Sequence, residues 1–423
     1  VYGEVNEAID QNLVMMEKMK LIASRHDLVC LLHEKPFEGI NGSGKHNNWS
    51  LGTESENLLD PGDTPLDNLQ FIVFLTAVIE AVDNYQELLR ASVASAGNDH
   101  RLGANEAPPA IMSIFLGDQL TEVVEKIIDG KASVHATRGV LDLGADTLPK
   151  LMQDNTDRNR TSPFAFTGNK FEFRAVGSSQ SIAPVNIALN AAVACALDDI
   201  ATQLEAAVSA GTPLNQALQE FLPREFKEHS PVVFNGNGYS NTWPKEAERR
   251  GLPNLSNTVD ALEHYSDPDV MNVFLRHGIL SEREILSRQE ILLDTYAKDI
   301  EIEGATLLDL VRGKVLPPCR AAQAQACDLV LKTKKAGIEP DEEMKNLQTI
   351  RGHVTSMEKA VGQLEEAIAK VKGIEGTLER AKGARDQILP LMGKIREDSD
   401  ALEAIVDDKL WELPKYSELL WVH

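Results

Sequence analysis

Residues 41–50 read NGSGKHNNWS, a glycine-rich turn followed by a histidine and several short polar side chains. Glycine lets the backbone approach a ligand closely and adopt a positive φ angle. The neutral imidazole of His46 can bind a divalent metal, and nearby Asn and Ser side chains can hydrogen-bond phosphate or amino-acid groups. The spacing differs from that of a GxxxxGK[ST] phosphate loop. This stretch predicts either a loop that holds a metal-nucleotide or a small polar substrate, or an ordinary hairpin loop with a surface histidine.

A short strand with charges on one face is predicted over residues 170–174, which read KFEFR. Alternation with a period of two places Lys170, Glu172 and Arg174 on one face and two phenylalanines on the other. A charged row of this kind is usually solvated. It could equally line a polar cavity, in which the glutamate binds a metal and the cations bind anions.

Two further loops carry charged side chains. Residues 100–109 read HRLGANEAPP and place a cation, Arg101, five positions before a carboxylate, Glu106, in a loop bounded by Gly and Pro. Residues 158–163 read RNRTSP and contain two more arginines. Both loops could contribute charged groups to a binding site.

Taken in their order along the chain, the four segments resemble the signatures of the glutamine synthetase family. Residues 41–50 resemble its NGSG-x-H-x-x-x-S signature, and residues 101–108 resemble its arginine-to-glutamate flap loop. Residues 159–160 resemble its Asn-Arg pair, and residues 170–174 its R/K-x-E-x-R strand. Further details, among them EAERRGLP at residues 246–253, are similar to the large type III branch.

The resemblance implies a fold and a reaction. The fold is α+β, an antiparallel sheet with flanking helices in the catalytic domain plus a C-terminal helical region. The reaction is ATP-dependent ligation of ammonia to L-glutamate through a γ-glutamyl phosphate, giving glutamine, ADP and phosphate. Phosphoryl transfer needs positioning and charge neutralisation more than covalent chemistry from the protein. Mg²⁺ or Mn²⁺ ions between carboxylates can bridge the nucleotide and the acceptor oxygens.

The resemblance also implies roles for single residues. His46 and Glu172 would bind the metal nearer the nucleotide. Glu106 would close the site and help to bind and deprotonate ammonium, and Arg160 would contact the transferred phosphate. The remaining residues would bind the two larger substrates: Asn41, Gly42, Arg101 and Arg174 the glutamate, and Asn48, Ser50 and Lys170 the nucleotide.

The chain departs from the family pattern at two positions and at its start. Asn48 stands where many members have a second histidine, and Ala165 stands where others have an arginine. The family's first metal-binding half, which supplies several glutamate ligands, would precede these motifs. The resemblance therefore identifies the chain as a C-terminal portion that lacks the N-terminal half, and we expect it to be catalytically incomplete on its own.

The amino-acid composition argues against some classes of binding partner. The chain has 65 acidic and 42 basic residues, and the formal net charge of −23 repels nucleic acid and anionic lipid. No apolar run approaches the roughly 20 residues that a membrane span needs. The four cysteines form no CxxC pair, which argues against a zinc or redox motif and fits a reducing compartment. We therefore predict a cytoplasmic protein that binds neither nucleic acid nor a membrane.

The chain is predicted to contain four regions. The motifs indicate residues 1–230 as the C-terminal part of the catalytic domain, and the loop-rich composition indicates 231–330 as a mixed loop and helical extension. The helical periodicity indicates 331–400 as a long helical hairpin or coiled coil, and the apolar terminus indicates 401–423 as a docked tail.

Local patterns predict several elements within these regions. Residues 1–27 have the pattern of an amphipathic helix, and the apolar run in residues 28–35 predicts a strand. From Val354 to Val371 apolar residues recur at 3-4 spacings, and a 3-3 step to Ile374 predicts a stammer that overwinds the helix. The seam predicts either an oligomer contact or an antiparallel hairpin that packs on its own chain, and the hairpin is preferred.

The family resemblance implies a homo-oligomer, a dodecamer of two hexameric rings. It leaves three alternatives to the ammonia ligase. One is a related ligase that joins glutamate to an amine, and another is a kinase that stops after phosphorylating its acceptor. The third is a non-catalytic regulatory homologue, which would have lost metal and phosphate residues that this chain retains.

Overall fold

The structure, a computed structural model, describes most of the chain: residues 3–37, 39–62, 65, 68–129, 140–141, 151–152, 162–415 and 418. The chain divides into two compact units, Val1–Gln289 and Glu290–His423. The division into four regions is finer than this one and stays a prediction.

A small mixed sheet lies in the first unit. Its strands follow the order β1-β6-β5-β2, in which the β1–β6 and β5–β6 pairs are antiparallel and the two-residue β2–β5 pair is parallel. A separate antiparallel pair joins β3 to β4. The strands are β1 Gly44–Trp49, β2 Ile114–Phe115, β3 Val140–Leu141, β4 Leu151–Met152, β5 Phe164–Phe166 and β6 Phe171–Gly177.

The strand predicted from the KFEFR alternation is confirmed as the start of β6. Phe171 and Phe173 are both 0% exposed, and they pack with Phe164 of β5. The rings of Phe164 and Phe171 stack with their centroids 4.6 Å apart. These aromatic contacts between strands fix the register of β6, so its opposite face presents Glu172 and Arg174.

Helices cover this sheet and form most of the first unit. The predicted N-terminal helix is confirmed as α1. The helices are α1 Val5–Arg25, α2 Leu69–Asn84, α3 Gln86–Ala91, α4 Ala96–Arg101, α5 Gly117–Ile128, α6 Ala183–Ser209, α7 Leu214–Glu228, α8 Trp243–Arg249, α9 Thr258–Glu263 and α10 Pro268–Leu275.

The core of the first unit is built on α2 and α6. Both helices are rich in buried apolar residues, and they pack against each other. By length and composition α6 could cross a membrane, and it is the single such helix found among the described residues. Of its most apolar window, 56% is buried, as expected for a helix in a protein core.

The prediction of a strand over residues 28–35 is wrong. These residues form no regular element, and Leu28 and Val29 are 66% and 89% exposed. A strand needs a neighbouring strand for its backbone hydrogen bonds. No strand in the described ranges pairs with this segment, so its apolar composition does not produce sheet structure.

The second unit is helical, and the apolar seam that begins at Val354 lies on α13. The seam residues Met357, Leu364 and Val371 are 0% exposed because α13 packs against α12 and α15. The chain enters this unit within α11 Glu282–Leu310. The helices that follow are α12 Leu316–Lys335, α13 Asp341–Lys372, α14 Thr377–Gly383 and α15 Leu389–Glu403, with π-helical turns at Val311–Val315 and Ala384–Ile388.

The stammer predicted at Ile374 is instead the end of a helix. α13 stops at Lys372, and Gly376, with φ of 85°, turns the chain into α14. Glycine adopts this left-handed conformation without the steric strain that a Cβ would cause. The seam is therefore buried within its own chain by a turn and a returning helix.

Asn68 provides a test of the α2 boundary. Its side chain accepts a hydrogen bond from Phe71 N at 3.0 Å and donates one to Asp60 O at 3.1 Å. We expect Asn68→Ala to lower the free energy of unfolding by about 1 kcal/mol, the usual effect of losing an N-cap. Urea unfolding would measure it, with exposed Asn215 in the first turn of α7 mutated to Ala as the control. Equal stability of the two variants would contradict the capping role.

Candidate functional site

Strands β1 and β6 bring His46 and Glu172 together. The register pairs Asn48 with Glu172 and shifts between Lys45 and Asn47, so His46 is a diagonal neighbour of Glu172 on the same face. His46 Nδ1 lies 2.7 Å from Glu172 Oε1. Two residues that are 126 positions apart in the chain thus form a direct contact.

Arg174 holds the other oxygen of the Glu172 carboxylate. Its Nε donates to Oε2 at 2.9 Å, and its Nη2 lies 2.8 Å from the same atom. The hydrogen bond from His46, with the charge and hydrogen bonds of Arg174, lowers the pKa of Glu172 to about 2 against the opposing effect of burial. The Glu172 and Arg174 side chains are 15% and 4% exposed. The charged face of β6 is therefore largely buried, and its carboxylate is ionised at neutral pH.

The donor set of His46 and Glu172 fits a divalent cation. Carboxylate oxygens suit Mg²⁺ and Mn²⁺, and imidazole nitrogen is a good ligand for first-row metals. The two side chains would supply two of the ligands. Arg174 adds positive charge beside them, which suits an anionic group such as a phosphate. The arrangement can therefore hold a cation and an anion side by side.

Arg101 lies against the same strand but is buried, with 3% of its surface exposed. Its guanidinium donates to Arg174 O at 2.8 Å and to Val176 O at 3.2 Å. Burial lowers the pKa of Arg101 to about 10, so it stays charged at neutral pH. The structure thus joins Arg101 to the backbone of β6, and direct contact with a substrate carboxylate stays a prediction.

The sequence did not indicate Glu34, which is 2% exposed beside Arg101. Its Oε1 accepts hydrogen bonds from Ser179 N at 2.9 Å and Ser179 Oγ at 2.6 Å. A Cβ at Gly97 or Gly177 would lie 2.6 Å or 2.4 Å from its carboxylate oxygens. Glu34 follows an apolar run but is flanked by His33 and Lys35, and this pattern did not identify its partners.

The NGSG loop and the flap loop contact each other. Gly42 N donates to Asn105 O at 3.4 Å, and Asn105 Nδ2 donates to Gly39 O at 2.9 Å. Glu106 is exposed and has φ of 55°, a left-handed conformation that is unusual for glutamate. Asn41 is also exposed. The two loops that carry predicted substrate-binding residues therefore form one surface.

The residues predicted to bind nucleotide lie along β1 and β6, toward the Trp49–Phe171 end of the pair. Asn48 is exposed and lies opposite Glu172. Ser50 Oγ lies 2.6 Å from Asn57 Oδ1 and 3.3 Å from Asn169 O. Asn169 immediately precedes Lys170 in the chain. These contacts put Ser50 and Lys170 together at the Trp49–Phe171 end of the ladder.

Arg160 lies outside the described residues, as does Asn159. The predicted site residues that are described form one continuous region of the first unit, on β1, β6 and the two loops next to them. Their roles in binding and catalysis stay predictions.

The chain matches two family models. Residues 1–111 match the glutamine synthetase catalytic domain, and residues 217–334 match the glutamine synthetase C-terminal domain.

The chain is also similar over its whole length to characterised relatives. It is 45% identical to a type-3 glutamine synthetase of Dictyostelium discoideum, 42% to a glutamine synthetase of Butyrivibrio fibrisolvens and 39% to one of Bacteroides fragilis (strain YCH46). All of this chain is covered in each comparison, but 58%, 60% and 59% of the respective relatives. The chain therefore spans somewhat more than half the length of these relatives.

Proposed function

Because the chain belongs to the glutamine synthetase family, we propose that the protein containing it joins ammonia to L-glutamate at the expense of ATP. The observation that carries the proposal is the ionised Glu172, held between His46 and Arg174 on two paired strands. The similarity of the whole chain to 58% of a type-3 glutamine synthetase supports the same conclusion.

The proposed reaction proceeds in two steps. An oxygen of the γ-carboxylate of glutamate attacks the terminal phosphorus of ATP, and the bond from that phosphorus to ADP breaks. Ammonia then attacks the acyl carbon of γ-glutamyl phosphate, and the bond between carbon and the bridging oxygen breaks. Inorganic phosphate leaves with that oxygen, and ammonium gives up protons as the amide forms.

The chain's residues would position the reactants and stabilise charge. Mg²⁺ or Mn²⁺, bound by His46 and Glu172, would neutralise charge on the transferring phosphoryl group. Arg174 holds Glu172 ionised and adds positive charge beside it. Glu106, on an exposed loop next to the NGSG loop, would accept a proton from ammonium. The other proposed contacts are Asn41, Gly42, Arg101 and Arg174 for glutamate, Arg160 for the phosphate, and Asn48, Ser50 and Lys170 for ATP.

Phosphate release from ATP by the full-length protein tests the proposal. We expect release that requires glutamate and ammonium together, with Mg²⁺ or Mn²⁺ present. Release with small alkylamines but little with ammonium would identify an amine ligase instead. Release with glutamate that gains nothing from any amine would identify a kinase, and no release with either metal would overturn catalysis altogether.

We also propose that the protein is a homo-oligomer, a dodecamer of two hexameric rings. Support comes from α1, which buries none of its residues and exposes large apolar side chains such as Val14, Met15 and Ile22. Exposed apolar surface of this kind is typical of interaction sites. Light scattering on the full-length protein should give a mass of twelve subunits, and a monomeric mass would contradict the proposal.

A cytoplasmic location is proposed from the reducing environment that the cysteines indicate. All four cysteines are free, and Cys195 and Cys319 are buried thiols. Cell fractionation should recover the protein with cytoplasmic markers, and recovery with an extracytoplasmic fraction would exclude this location.

A further inference from the structure

A second group of possible metal ligands lies on helices α2 and α7, apart from the strands that hold His46 and Glu172. Glu80 belongs to α2, Glu225 to α7, and His229 follows the end of α7. Each of the three residues is 6% exposed. One ligand atom from each lies within 4.8 Å of the others. Buried carboxylates and an imidazole thus converge on one point in the first unit.

The hydrogen bonds of His229 leave one ring nitrogen directed into this group. Nδ1 lies 2.9 Å from Asp83 Oδ2. Nε2 lies 3.6 Å from Glu225 Oε2, beyond hydrogen-bond distance. When the imidazole is neutral and Asp83 accepts the Nδ1 proton, the Nε2 lone pair is available, and this is the arrangement in which proteins present histidine to a metal.

The side chain of Glu80 supplies an independent observation that points to a bound ligand. Its Oε2 is buried and has no hydrogen-bond partner among the described residues. A buried carboxylate oxygen without a partner is unfavourable because it has lost its hydration. The negative charges of Glu225, Asp199 and Glu228 act on Glu80 as well. Arg224 bonds to Glu225, but its side chain is 57% exposed. His229 opposes these charges because, against the opposing effect of burial, Asp83 and the nearby carboxylates raise its pKa. A divalent cation bound by the three residues would neutralise more of the negative charge.

The spacing along the two helices suits shared coordination. Glu225 and His229 are four positions apart, which places them on the same side of the helix axis. Glu80 and Asp83 are three positions apart on α2, which packs against α7. A ligand bound between them would link the two helices and stabilise the core of the first unit.

We propose that Glu80, Glu225 and Nε2 of His229 form a structural site for a divalent transition-metal cation of the Zn²⁺ type, with Asp83 as the residue that positions the imidazole. Carboxylate oxygens and imidazole nitrogen are both ligands that Zn²⁺ accepts in proteins. The competing occupant is a proton, because burial raises the pKa of Glu80 to about 7. The inference does not depend on the proposed ligase activity.

Zinc binding to metal-stripped full-length protein tests the site, in a Glu172→Ala background that weakens binding at the strands. We expect one more Zn²⁺ per chain, retained after desalting, than in the additional variants Glu80→Gln and His229→Gln. Zn²⁺ at a hundred times its Kd should raise Tm by about 5 °C, since it binds the folded state alone. Mg²⁺ should not reproduce the shift, because it binds imidazole poorly.

Two further variants separate metal binding from a structural effect. Asp83→Asn should weaken Zn²⁺ binding about 10- to 100-fold without removing the ligands. The matched control Glu220→Gln, an exposed carboxylate on the same helix, should bind Zn²⁺ normally. Equal Zn²⁺ content with and without His229→Gln, or a Tm that Zn²⁺ does not change, would overturn the proposal and leave a proton as the occupant.

Discussion

Glu172→Ala should lower kcat/KM for ATP-dependent glutamine formation about 10²- to 10³-fold, the range expected when one electrostatic group is removed from an active site. The substitution removes a proposed metal ligand. It also leaves Arg174, whose side chain is 4% exposed, without the carboxylate that accepts its hydrogen bonds. Phosphate release with glutamate and ammonium would measure the loss.

The controls for Glu172→Ala separate charge from folding. Glu172→Gln keeps the size of the side chain and an acceptor oxygen but removes the charge, so it should be almost as inactive. Glu248→Gln removes an exposed carboxylate outside the proposed site and should retain full activity. A Glu172→Ala protein with more than about half of the normal activity would remove Glu172 from the proposed mechanism.

Gly44→Ala should lower the free energy of unfolding by about 1.5–3 kcal/mol and reduce activity with it. A Cβ at position 44 would lie 2.0 Å from Nη2 of Arg101. The guanidinium is buried and bonded to Arg174 O and Val176 O, so moving it breaks charged hydrogen bonds to β6. Urea unfolding and kinetics of the variant would measure both effects.

A double-mutant cycle identifies the cause of the Gly44→Ala effect. In an Arg101→Ala background the clash is absent, so Gly44→Ala should then change stability by less than about 0.5 kcal/mol. Gly362→Ala serves as the control because a Cβ there meets nothing within 4 Å. Equal losses from Gly44→Ala with and without Arg101 would show that the clash is not the cause.

Sequence patterns were sufficient where one face of an element is buried. The alternation of Phe171 and Phe173 with charged residues defined β6, since a slip by one residue would expose the rings. The antiparallel pairing of β6 with β1 then placed His46 beside Glu172. The heptad spacing on α13 likewise identified residues that are buried.

Features that depend on distant parts of the chain could not be predicted. Glu34 is stabilised by Ser179, which is 145 positions away, and no local pattern connects the two. The apolar residues after α1 resembled a strand, but a strand forms only where a neighbour supplies hydrogen bonds. Arg101 was predicted to bind glutamate, but its burial against the backbone of β6 was not predicted, because that burial depends on the absence of a side chain at Gly44.

Isotope transfer measures whether a phosphoryl group passes to glutamate. The full-length protein would be given glutamate with ¹⁸O in both oxygens of its γ-carboxylate, together with unlabelled ATP and ammonium in ordinary water. We expect each phosphate released to carry one ¹⁸O atom, because the bridging oxygen stays with phosphorus when ammonia displaces it. Phosphate without ¹⁸O would show that water attacks ATP, and it would contradict a γ-glutamyl phosphate intermediate.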